Sequence, residues 1–310
     1  MPDILVEKLY KSYEKGRVKA LSDISFSVDK GEMFGIIGPD GAGKTTLFRI
    51  LTTLLLADSG KASVASLDVI KDYKSIRRRV GYMPGKFSLY QDLTVEENLT
   101  FFASIFDTTI KQNYDLIKDI YIQIEPFKNR KAGALSGGMK QKLALCCALI
   151  HRPEVLFLDE PTTGVDTVSR KEFWDMLKRL KKEGITILVS TPYMDEANLC
   201  ERIALIQNGH ILSINTPLGI INNYPKELYA IKSDNMSKLL RDLREVRGIA
   251  SVHSFGEYHH ISFKEKYDIK KDGGDFLQGL EHSNISLKLI DPTVEDCFIQ
   301  LMSQNHAHTN

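Results

Sequence analysis

Residues 38–46 read Gly-Pro-Asp-Gly-Ala-Gly-Lys-Thr-Thr, and they match the pattern G-x-x-x-x-G-K-[ST] at every specified position. A short apolar run, residues 32–37, comes directly before this stretch, and residues 44–51 follow it with apolar side chains at helical spacing. We therefore expect a loop between a buried strand and the N-terminus of a helix. In that setting the pattern holds the phosphates of a nucleoside triphosphate.

The residues of this loop have separate predicted roles. Glycines let backbone N–H groups turn into one concavity, where a larger side chain would obstruct the phosphates. Lys44 supplies a cation to the phosphates, and the Thr45 hydroxyl takes one coordination position on Mg²⁺. The predicted nucleotide-binding residues of the loop are Gly38, Pro39, Asp40, Gly41, Ala42, Gly43, Lys44, Thr45 and Thr46.

Two carboxylates follow a second apolar run, residues 155–158, which reads as a strand buried on both faces. Asp159 and Glu160 then emerge at the carboxyl end of that strand. Asp159 suits a Mg²⁺ partner, directly or through water, and Glu160 suits the base that orients and deprotonates the water attacking the γ-phosphate. The pair predicts phosphoryl-transfer chemistry beside the phosphate loop.

A second glycine-bearing loop, residues 135–141, reads Leu-Ser-Gly-Gly-Met-Lys-Gln and leads into a predicted helix at 140–150. The Ser136 hydroxyl and the free N–H groups of Gly137 and Gly138 form a helix end that attracts anions. One chain therefore has two surfaces that favour phosphate.

Strands alternate with helices around these motifs, which predicts an α/β fold. Residues 4–9 and 21–28 alternate apolar and polar side chains and predict an antiparallel pair. Thr94 and Glu97 have the spacing of a capping box, so a helix is expected to begin near Val95. The other predicted elements are strands at 60–64, 80–83, 185–189 and 203–206, the last in a hairpin that reaches Ile211, and a helix at 110–123.

The composition limits the possible partners. The 310 residues are 43% hydrophobic and 26% charged, enough for one large domain and a smaller one. A balance of 41 Lys and Arg against 40 Asp and Glu produces no overall field that favours nucleic acid or an acidic membrane. No apolar run is long enough to cross a bilayer, so we expect a chain neither secreted nor membrane-spanning. The four cysteines lack metal-ligand spacing and are expected to be reduced and packed, as in a cytosolic protein: Cys146, Cys147, Cys200 and Cys297.

Beyond residue 215 the pattern changes to short strands and two helices in the order βαββαβ, which predicts a small α+β domain of ferredoxin-like fold over 216–310. Its expected strands lie at 228–231, 251–255, 260–263 and 285–290, and its helices at 236–246 and 275–282. Five of its histidines are candidates for a metal site but have no metal-ligand spacing, and a surface or tail role is expected for them: His253, His259, His260, His306 and His308.

The three motifs together, in this order, resemble the nucleotide-binding subunit of an ATP-binding cassette (ABC) transporter over roughly residues 4–215. Residues 135–141 are the specific part, because the phosphate loop occurs in many other ATPases. The resemblance implies a P-loop NTPase cassette over 1–215, with a RecA-like core, an antiparallel β subdomain and a helical subdomain near 87–145. Residues 162–166, which end in Asp166, lie where the family has its D-loop.

The resemblance also implies a head-to-tail dimer that holds two ATP molecules, with Mg²⁺, between its subunits. Each nucleotide would lie between the phosphate loop of one subunit and the signature loop of the other, to which this chain would contribute Leu135, Ser136, Gly137, Gly138 and Gln141. Tyr13 lies where the family has an aromatic ring that stacks on adenine. From its residue type alone, Tyr13 is equally suited to packing.

Two positions depart from the family pattern. Gly85 stands where the family has the Gln that reaches Mg²⁺ and the attacking water, and Pro192 stands where it has a His at the γ-phosphate. Both missing groups belong beside the same nucleotide. Our hypothesis is that the nucleotide site on this chain's own phosphate loop is degenerate and hydrolyses slowly. The chain would form a heterodimer with a subunit that has both usual residues, and its signature loop would complete the competent site on that partner. The alternative is a homodimer in which water or backbone replaces both side chains.

Residues 291–298, Asp-Pro-Thr-Val-Glu-Asp-Cys-Phe, resemble the closing segment of ABC subunits that serve ABC-2 type exporters. This resemblance implies an ATPase at the cytoplasmic face of the inner membrane, peripheral to separate permease subunits and without nucleic acid. Phe87 and Tyr90 fall where the family docks its membrane partner, although either ring also suits a core. The alternatives are a module that uses ATP only to dimerise, and a soluble ABC ATPase that acts on nucleic acid or ribosomes.

Overall fold

The structure is a computed structural model that describes residues 2–86, 88–264, 279 and 282–307. Its contacts divide the chain into two compact units. The first holds the residues up to Ile220 together with those from Leu301 onward, and the second holds Ile221–Gln300. The independent domain predicted from residue 216 stays a prediction. None of the helices in the described ranges is long and apolar enough to cross a bilayer.

The described residues form strands and helices that we number in chain order. The strands are β1 (Pro2–Tyr13), β2 (Val18–Asp29), β3 (Met33–Ile37), β4 (Ser59–Val64), β5 (Leu67–Asp68), β6 (Val80–Met83), β7 (Val155–Asp159), β8 (Thr186–Thr191), β9 (Arg202–Gln207), β10 (His210–Asn215), β11 (Leu228–Lys232), β12 (Ile249–Phe255), β13 (Tyr258–Phe263) and β14 (Ser286–Ile290). The helices are α1 (Lys44–Leu51), α2 (Tyr73–Arg79), α3 (Val95–Ile105), α4 (Tyr114–Tyr121), α5 (Gly137–Leu149), α6 (Thr167–Lys182), α7 (Pro217–Asn222), α8 (Met236–Glu245) and α9 (Val294–Ala307).

The central sheet of the first unit has the order β10-β9-β3-β8-β7-β6. Its strands run parallel except β10, which returns antiparallel to β9 as the predicted hairpin. Every residue of β3, β7 and β8 is buried, as expected for apolar strands covered on both faces. Because the strands are parallel, the loops after β3, β7 and β8 meet at one edge of the sheet.

An antiparallel sheet of order β2-β1-β4-β5 completes the first unit and confirms the predicted pair near the N-terminus. Helix α1 contacts β2 and β4 in this sheet and β7 in the central sheet. It buries Leu47, Phe48, Ile50 and Leu51, and the Phe48 ring meets Phe157 edge to face at 6.0 Å. The helix that begins at Lys44 is thus packed between two sheets, and the loop before it is held in place.

Helices α3, α4 and α5 form the helical region between β6 and β7, and α5 contacts both of the others. Helix α3 has the predicted capping box of Thr94 and Glu97. Helix α4 is shorter than the predicted 110–123, because Asn113 donates hydrogen bonds to Thr108 and Ile150 instead of continuing a helix. Helix α5 begins three residues earlier than predicted, because the Ser136 side chain caps it.

The second unit has an antiparallel sheet of order β12-β13-β11-β14, which confirms the four predicted strands. Helix α8 packs Leu239 and Leu243 into its core with Ile231 and Ile261. The predicted helix at 275–282 lies almost entirely outside the described residues. The four cysteines are buried and free, as predicted.

The surface role expected for the histidines is wrong for His259 and His260. His259 is 4% exposed and makes hydrogen bonds with Ser254 and the Met236 carbonyl. The Nδ1 of His260 lies 2.7 Å from an Asp296 carboxylate oxygen. Helix α8 packs against β13 and covers His259, whereas the Phe255 ring stacks on His260. His308 and the side chain of His306 lie outside the described residues.

Candidate functional site

The phosphate loop is fixed by close approach to neighbouring backbone. A Cβ on Gly38 would lie 2.1 Å from the Ile206 carbonyl oxygen, and one on Gly43 would lie 2.3 Å from the Ala20 carbonyl oxygen. Gly41 has φ +78° and open space where its Cβ would stand. Two of the three glycines are therefore required by packing against protein as well as by access for phosphate. The open side at Gly41 fits a phosphate cradle.

Lys44 places its cation at the centre of the loop. The ammonium donates to the carbonyl oxygens of Gly38 and Pro39 at 2.8 and 2.9 Å. It also lies 3.0 Å from Glu160 Oε1, and the two side chains are 2% and 22% exposed. The loop after β3 and the carboxylate after β7 thus meet at one point, because both strands run parallel to β8 and end at the same edge of the sheet.

Asp159 and Glu160 share a partner at the end of β8. The Ser190 hydroxyl donates to Asp159 Oδ1 at 2.7 Å and accepts from the Glu160 amide at 3.0 Å. Glu160 has φ +51°, an uncommon backbone conformation for a non-glycine residue that often marks functional sites. Burial, followed by the nearby Asp159 charge, raises the pKa of the Tyr82 phenol to about 12. Asp159 itself is buried, and the Ser190 hydroxyl holds one of its carboxylate oxygens.

The donor set at this edge fits Mg²⁺, which prefers oxygen ligands from carboxylates and hydroxyls. Thr45 is the second residue of α1 beside the cradle, and Asp159 ends β7 next to Glu160, which contacts Lys44. These are the two residues that would hold the ion.

The two departures from the family pattern flank this site. A Cβ on Gly85 would lie 3.0 Å from the Asp159 carbonyl oxygen and 3.7 Å from Glu160 Cβ. Pro192 follows Thr191, whose carbonyl accepts from the Gly38 amide at 3.3 Å. Neither residue has a hydrogen-bonding side chain. Gly85 thus borders the two carboxylates, and Pro192 follows a residue bonded to the phosphate loop.

The signature loop lies against the D-loop of the same chain. Ser136 is exposed, and its hydroxyl accepts from the Met139 amide as the cap of α5. A Cβ on Gly137 would lie 3.4 Å from the Gly164 carbonyl oxygen, and one on Gly138 would lie 2.7 Å from Ser169 Oγ. Leu135 is buried and Gln141 half-buried, which leaves Ser136 and Gly137 as the accessible part of the loop.

Asp166 has a structural role that the sequence reading did not assign. It caps α6 by accepting from the amides of Val168 and Ser169, and these hydrogen bonds lower the pKa of its carboxyl. Tyr13 ends β1 with 37% of its surface exposed, and its hydroxyl lies 3.3 Å from Thr46 Oγ1. The ring therefore borders the cradle, which is compatible with both of its predicted roles.

Sequence reasoning missed a buried carboxylate next to the site. Glu196 is 2% exposed and accepts hydrogen bonds from Thr162, Thr191 and Arg170. The only sequence signal is an acidic pair, Asp195 and Glu196, soon after a buried strand. Nothing in that spacing connects Glu196 with Thr162, which lies 34 residues earlier.

A phosphate loop on a parallel sheet, with two carboxylates at the end of a nearby strand, defines a P-loop nucleotide-binding protein. Residues 21–163 match the family model described as ABC transporter. The chain is 35% identical over 264 residues to the doxorubicin resistance ATP-binding protein DrrA of Mycobacterium tuberculosis, a match that covers 83% of this chain and 77% of that protein. The chain therefore belongs to the family of ABC transporter ATP-binding proteins, as its motifs predicted.

A second relative supports the same family. The chain is 37% identical over 302 residues to the probable multidrug ABC transporter ATP-binding protein YbhF of Escherichia coli. That match covers 96% of this chain and 51% of YbhF, so the chain spans about half the length of this relative.

Among solved structures, CbiO1 of Clostridium perfringens, part of the ABC transporter complex CbiONQ, has a TM-score of 0.64 at 26% identity. It covers 72% of this chain and 91% of its own. The dimeric bacterial ABC transporter cassette MJ0796 has a TM-score of 0.62 at 26% identity and covers 69% and 98%.

Proposed function

We propose that this chain hydrolyses ATP in a head-to-tail dimer and thereby drives export through separate ABC-2 type membrane subunits. The observation that carries the proposal is the 3.0 Å contact between Lys44 and Glu160, which joins the phosphate cradle to a carboxylate able to take a proton. The names of DrrA and YbhF, which refer to doxorubicin resistance and multidrug transport, support export. The protein would act at the cytoplasmic face of the membrane.

The chemistry follows from the positions of the chain's own groups. The loop amides and Lys44 hold the β- and γ-phosphates, so that the charge on the γ-phosphate is neutralised as the bond to the leaving oxygen lengthens. Glu160 orients the attacking water and accepts its proton. Thr45 and Asp159 would hold Mg²⁺, which when bound neutralises phosphate charge.

The test is a pair of variants. We expect Glu160→Gln to lower ATP turnover by about 100-fold or more while nucleotide still binds, because the proton acceptor is lost but Lys44 and the loop amides remain to hold the phosphates. We expect Lys44→Ala to lose nucleotide binding itself, because a central cation is removed from the cradle. Hydrolysis and binding of a fluorescent ATP analogue measure the two effects separately. Full turnover in Glu160→Gln would contradict the assignment of the base.

The second protomer is proposed from the accessible part of the signature loop. Ser136 and Gly137 are exposed at the N-terminus of α5, a position that attracts anions. A neighbouring protomer can bring these groups to the nucleotide held by the loop at residues 38–46. The dimeric structure of the MJ0796 cassette supports such an assembly.

We propose that the chain's own site is degenerate and that its preferred partner is a different ABC subunit, with a homodimer as the alternative. The support is the place of Gly85 and Pro192 beside Asp159, Glu160 and Gly38. The same observation favours a second candidate function, an ATP-dependent dimerising module with little hydrolysis. Measuring hydrolysis with and without the subunit that copurifies from the native membrane separates the two, because only the first gains turnover.

The permease would dock on a groove between β6 and the helical region. It is a cavity of about 260 Å³ whose apolar lining includes Leu54, Leu89, Phe102 and Phe106. Tyr90, next to this groove in sequence, is 50% exposed and meets Phe101 edge to face. An apolar helix of a membrane subunit fits such a surface. The other predicted docking residue, Phe87, lies outside the described residues.

We also propose that the second unit is a ferredoxin-like domain. Its sheet order, β12-β13-β11-β14, places the first and third strands in the centre and makes every neighbouring pair antiparallel. That is the arrangement a βαββαβ unit adopts in this fold.

A further inference from the structure

The Glu196 carboxylate joins three segments of the first unit. Its Oε1 accepts from Thr162 Oγ1 at 2.8 Å and from the Nε and Nη2 atoms of Arg170 at 3.1 and 3.0 Å. Its Oε2 accepts from Thr191 Oγ1 at 2.5 Å. The side chain is 3% exposed, so these contacts stand almost entirely out of water.

Each partner belongs to a segment that borders the nucleotide site. Thr162 lies two residues after Glu160, and the amide of Thr163 donates to the Glu160 carbonyl. Thr191 ends β8, and its carbonyl accepts from the Gly38 amide. Arg170 lies on α6, the helix that Asp166 caps. One carboxylate therefore connects the loop after the proposed base, the strand before Pro192 and the helix after the D-loop.

The cost of burying this carboxylate points to a purpose other than stability. A buried ion pair is often no more stabilising than apolar residues of the same volume. What it does provide is a single geometry, because the carboxylate needs all of its donors at once. Arg170 also lies 4.2 Å from the centre of the Tyr193 ring, so the same cluster holds the residue after Pro192.

We propose that Glu196 is a positioning residue that fixes the Glu160 loop relative to the phosphate cradle. This inference rests on the proposed ATP hydrolysis. In this chain the residue matters for a specific reason. Gly85 and Pro192 supply no polar side chain to the γ-phosphate, and the placement of Glu160 depends on its own loop and on the end of β8.

The test is the variant Glu196→Gln. Glutamine has the same shape, but its amide nitrogen donates, so one threonine hydroxyl loses its acceptor and Arg170 keeps only Asp195, 3.6 Å away, as a counter-charge. We expect kcat to fall about 10-fold or more while KM for ATP changes less than about 2-fold, because misplacing the base affects chemistry and leaves phosphate binding intact. The control is Glu201→Gln, which also removes a charge from an ion pair, with Lys181, but lies just before β9, where its other oxygen accepts from the Met33 amide. We expect its kcat to equal that of the wild type.

A second variant with a smaller change tests the proposal in case Glu196→Gln does not fold. Thr162→Val keeps the shape of the side chain and removes one donor, and we expect a fall in kcat of about 3-fold or more per folded molecule, with a smaller loss of stability than in Glu196→Gln. If Glu196→Gln and Thr162→Val both keep the wild-type kcat per folded molecule, the proposal is overturned, whatever their melting temperatures.

A second readout does not need turnover. Hydrogen exchange over residues 160–170 is expected to be faster in Glu196→Gln than in the wild type, because the amides of Thr163 and Val165 bond within the loop that Glu196 holds. A wild-type chain without any ATP turnover would count against the proposed function. Unchanged exchange over 160–170 in Glu196→Gln would overturn the positioning role itself.

Discussion

At the scale of single residues, Gly85 offers a test by gain of activity. We expect Gly85→Gln to raise ATP turnover several-fold, because it restores an amide beside Asp159 and Glu160 at the position where the family has one. The new Cβ would stand 3.0 Å from the Asp159 carbonyl oxygen, so the backbone must yield by a few tenths of an ångström. Gly85→Leu imposes the same crowding without an amide and serves as the control. Equal rates in the two variants would show that the missing side chain is not what limits turnover.

His151 predicts a pH dependence of stability. Its ring stacks on Phe106 with centroids 3.7 Å apart, and its Nε2 bonds the Val80 carbonyl. Within the described residues, Nδ1 is buried without a hydrogen-bond partner. Burial lowers the pKa of His151 to about 4 from its ordinary 6.5, because protonation would leave a charged ring without an acceptor for its second N–H. Between pH 6.5 and pH 4 the unfolded chain therefore binds this proton more readily.

The free energy of unfolding is thus expected to fall as the pH drops through that window and to be unaffected by His151 above it. At pH 5 the loss relative to pH 7.5 is about 2 kcal/mol more for the wild type than for His151→Gln, which cannot titrate. Urea unfolding of both proteins at the two pH values measures the difference, and all other titrating groups cancel. Parallel pH profiles for the two proteins would contradict this account of the buried ring.

At the scale of elements, Asn98 holds the turn that leads into α3. Its side chain is fully buried, accepts from the Tyr90 amide and donates to the carbonyls of Tyr90, Leu93 and Thr94. We expect Asn98→Ala to cost about 2–3 kcal/mol, because several buried backbone groups lose their partner. Urea unfolding measures the cost. The exposed Thr100 on the same helix provides the control, Thr100→Ala, for which we expect a change of less than about 0.5 kcal/mol.

The elements that were predicted correctly depend on signals within a few residues. A few neighbouring residues are enough to recognise the phosphate loop, the capping box of Thr94 and Glu97, and the apolar runs of β3, β7 and β8. What was missed depends on pairing across the chain. Glu196 finds partners 34 and 26 residues away, and His259 is buried because α8 packs over it, with the bonded Met236 carbonyl 23 residues away. Such contacts arise only when the topology is known, so residue spacing alone does not reveal them.

At the scale of the whole molecule, the two anion-favouring surfaces, the phosphate loop and the signature loop, contact different residues of the same chain. Lys44 contacts Glu160, whereas the loop at Ser136 lies against residues 164–169. In the heterodimer proposed above, with an ABC subunit that has the usual Gln and His, the two sites would be unequal. One would combine the cradle of this chain, with Gly85 and Pro192, and the partner's signature loop, and the other would combine the partner's intact cradle and Ser136 of this chain. Most turnover is expected at the second site.

This inequality predicts opposite outcomes for two variants in the complex that copurifies from the native membrane. Ser136→Arg is expected to remove nearly all ATP turnover of the complex, because a bulky cation then occupies the helix end that completes the competent site. Lys44→Ala is expected to keep more than about half of it, because it damages only the slow site. Ser237→Arg places the same change on an exposed serine in the first turn of α8 and is expected to leave turnover unchanged. Equal losses in Ser136→Arg and Lys44→Ala would instead indicate two equivalent sites, as in a homodimer.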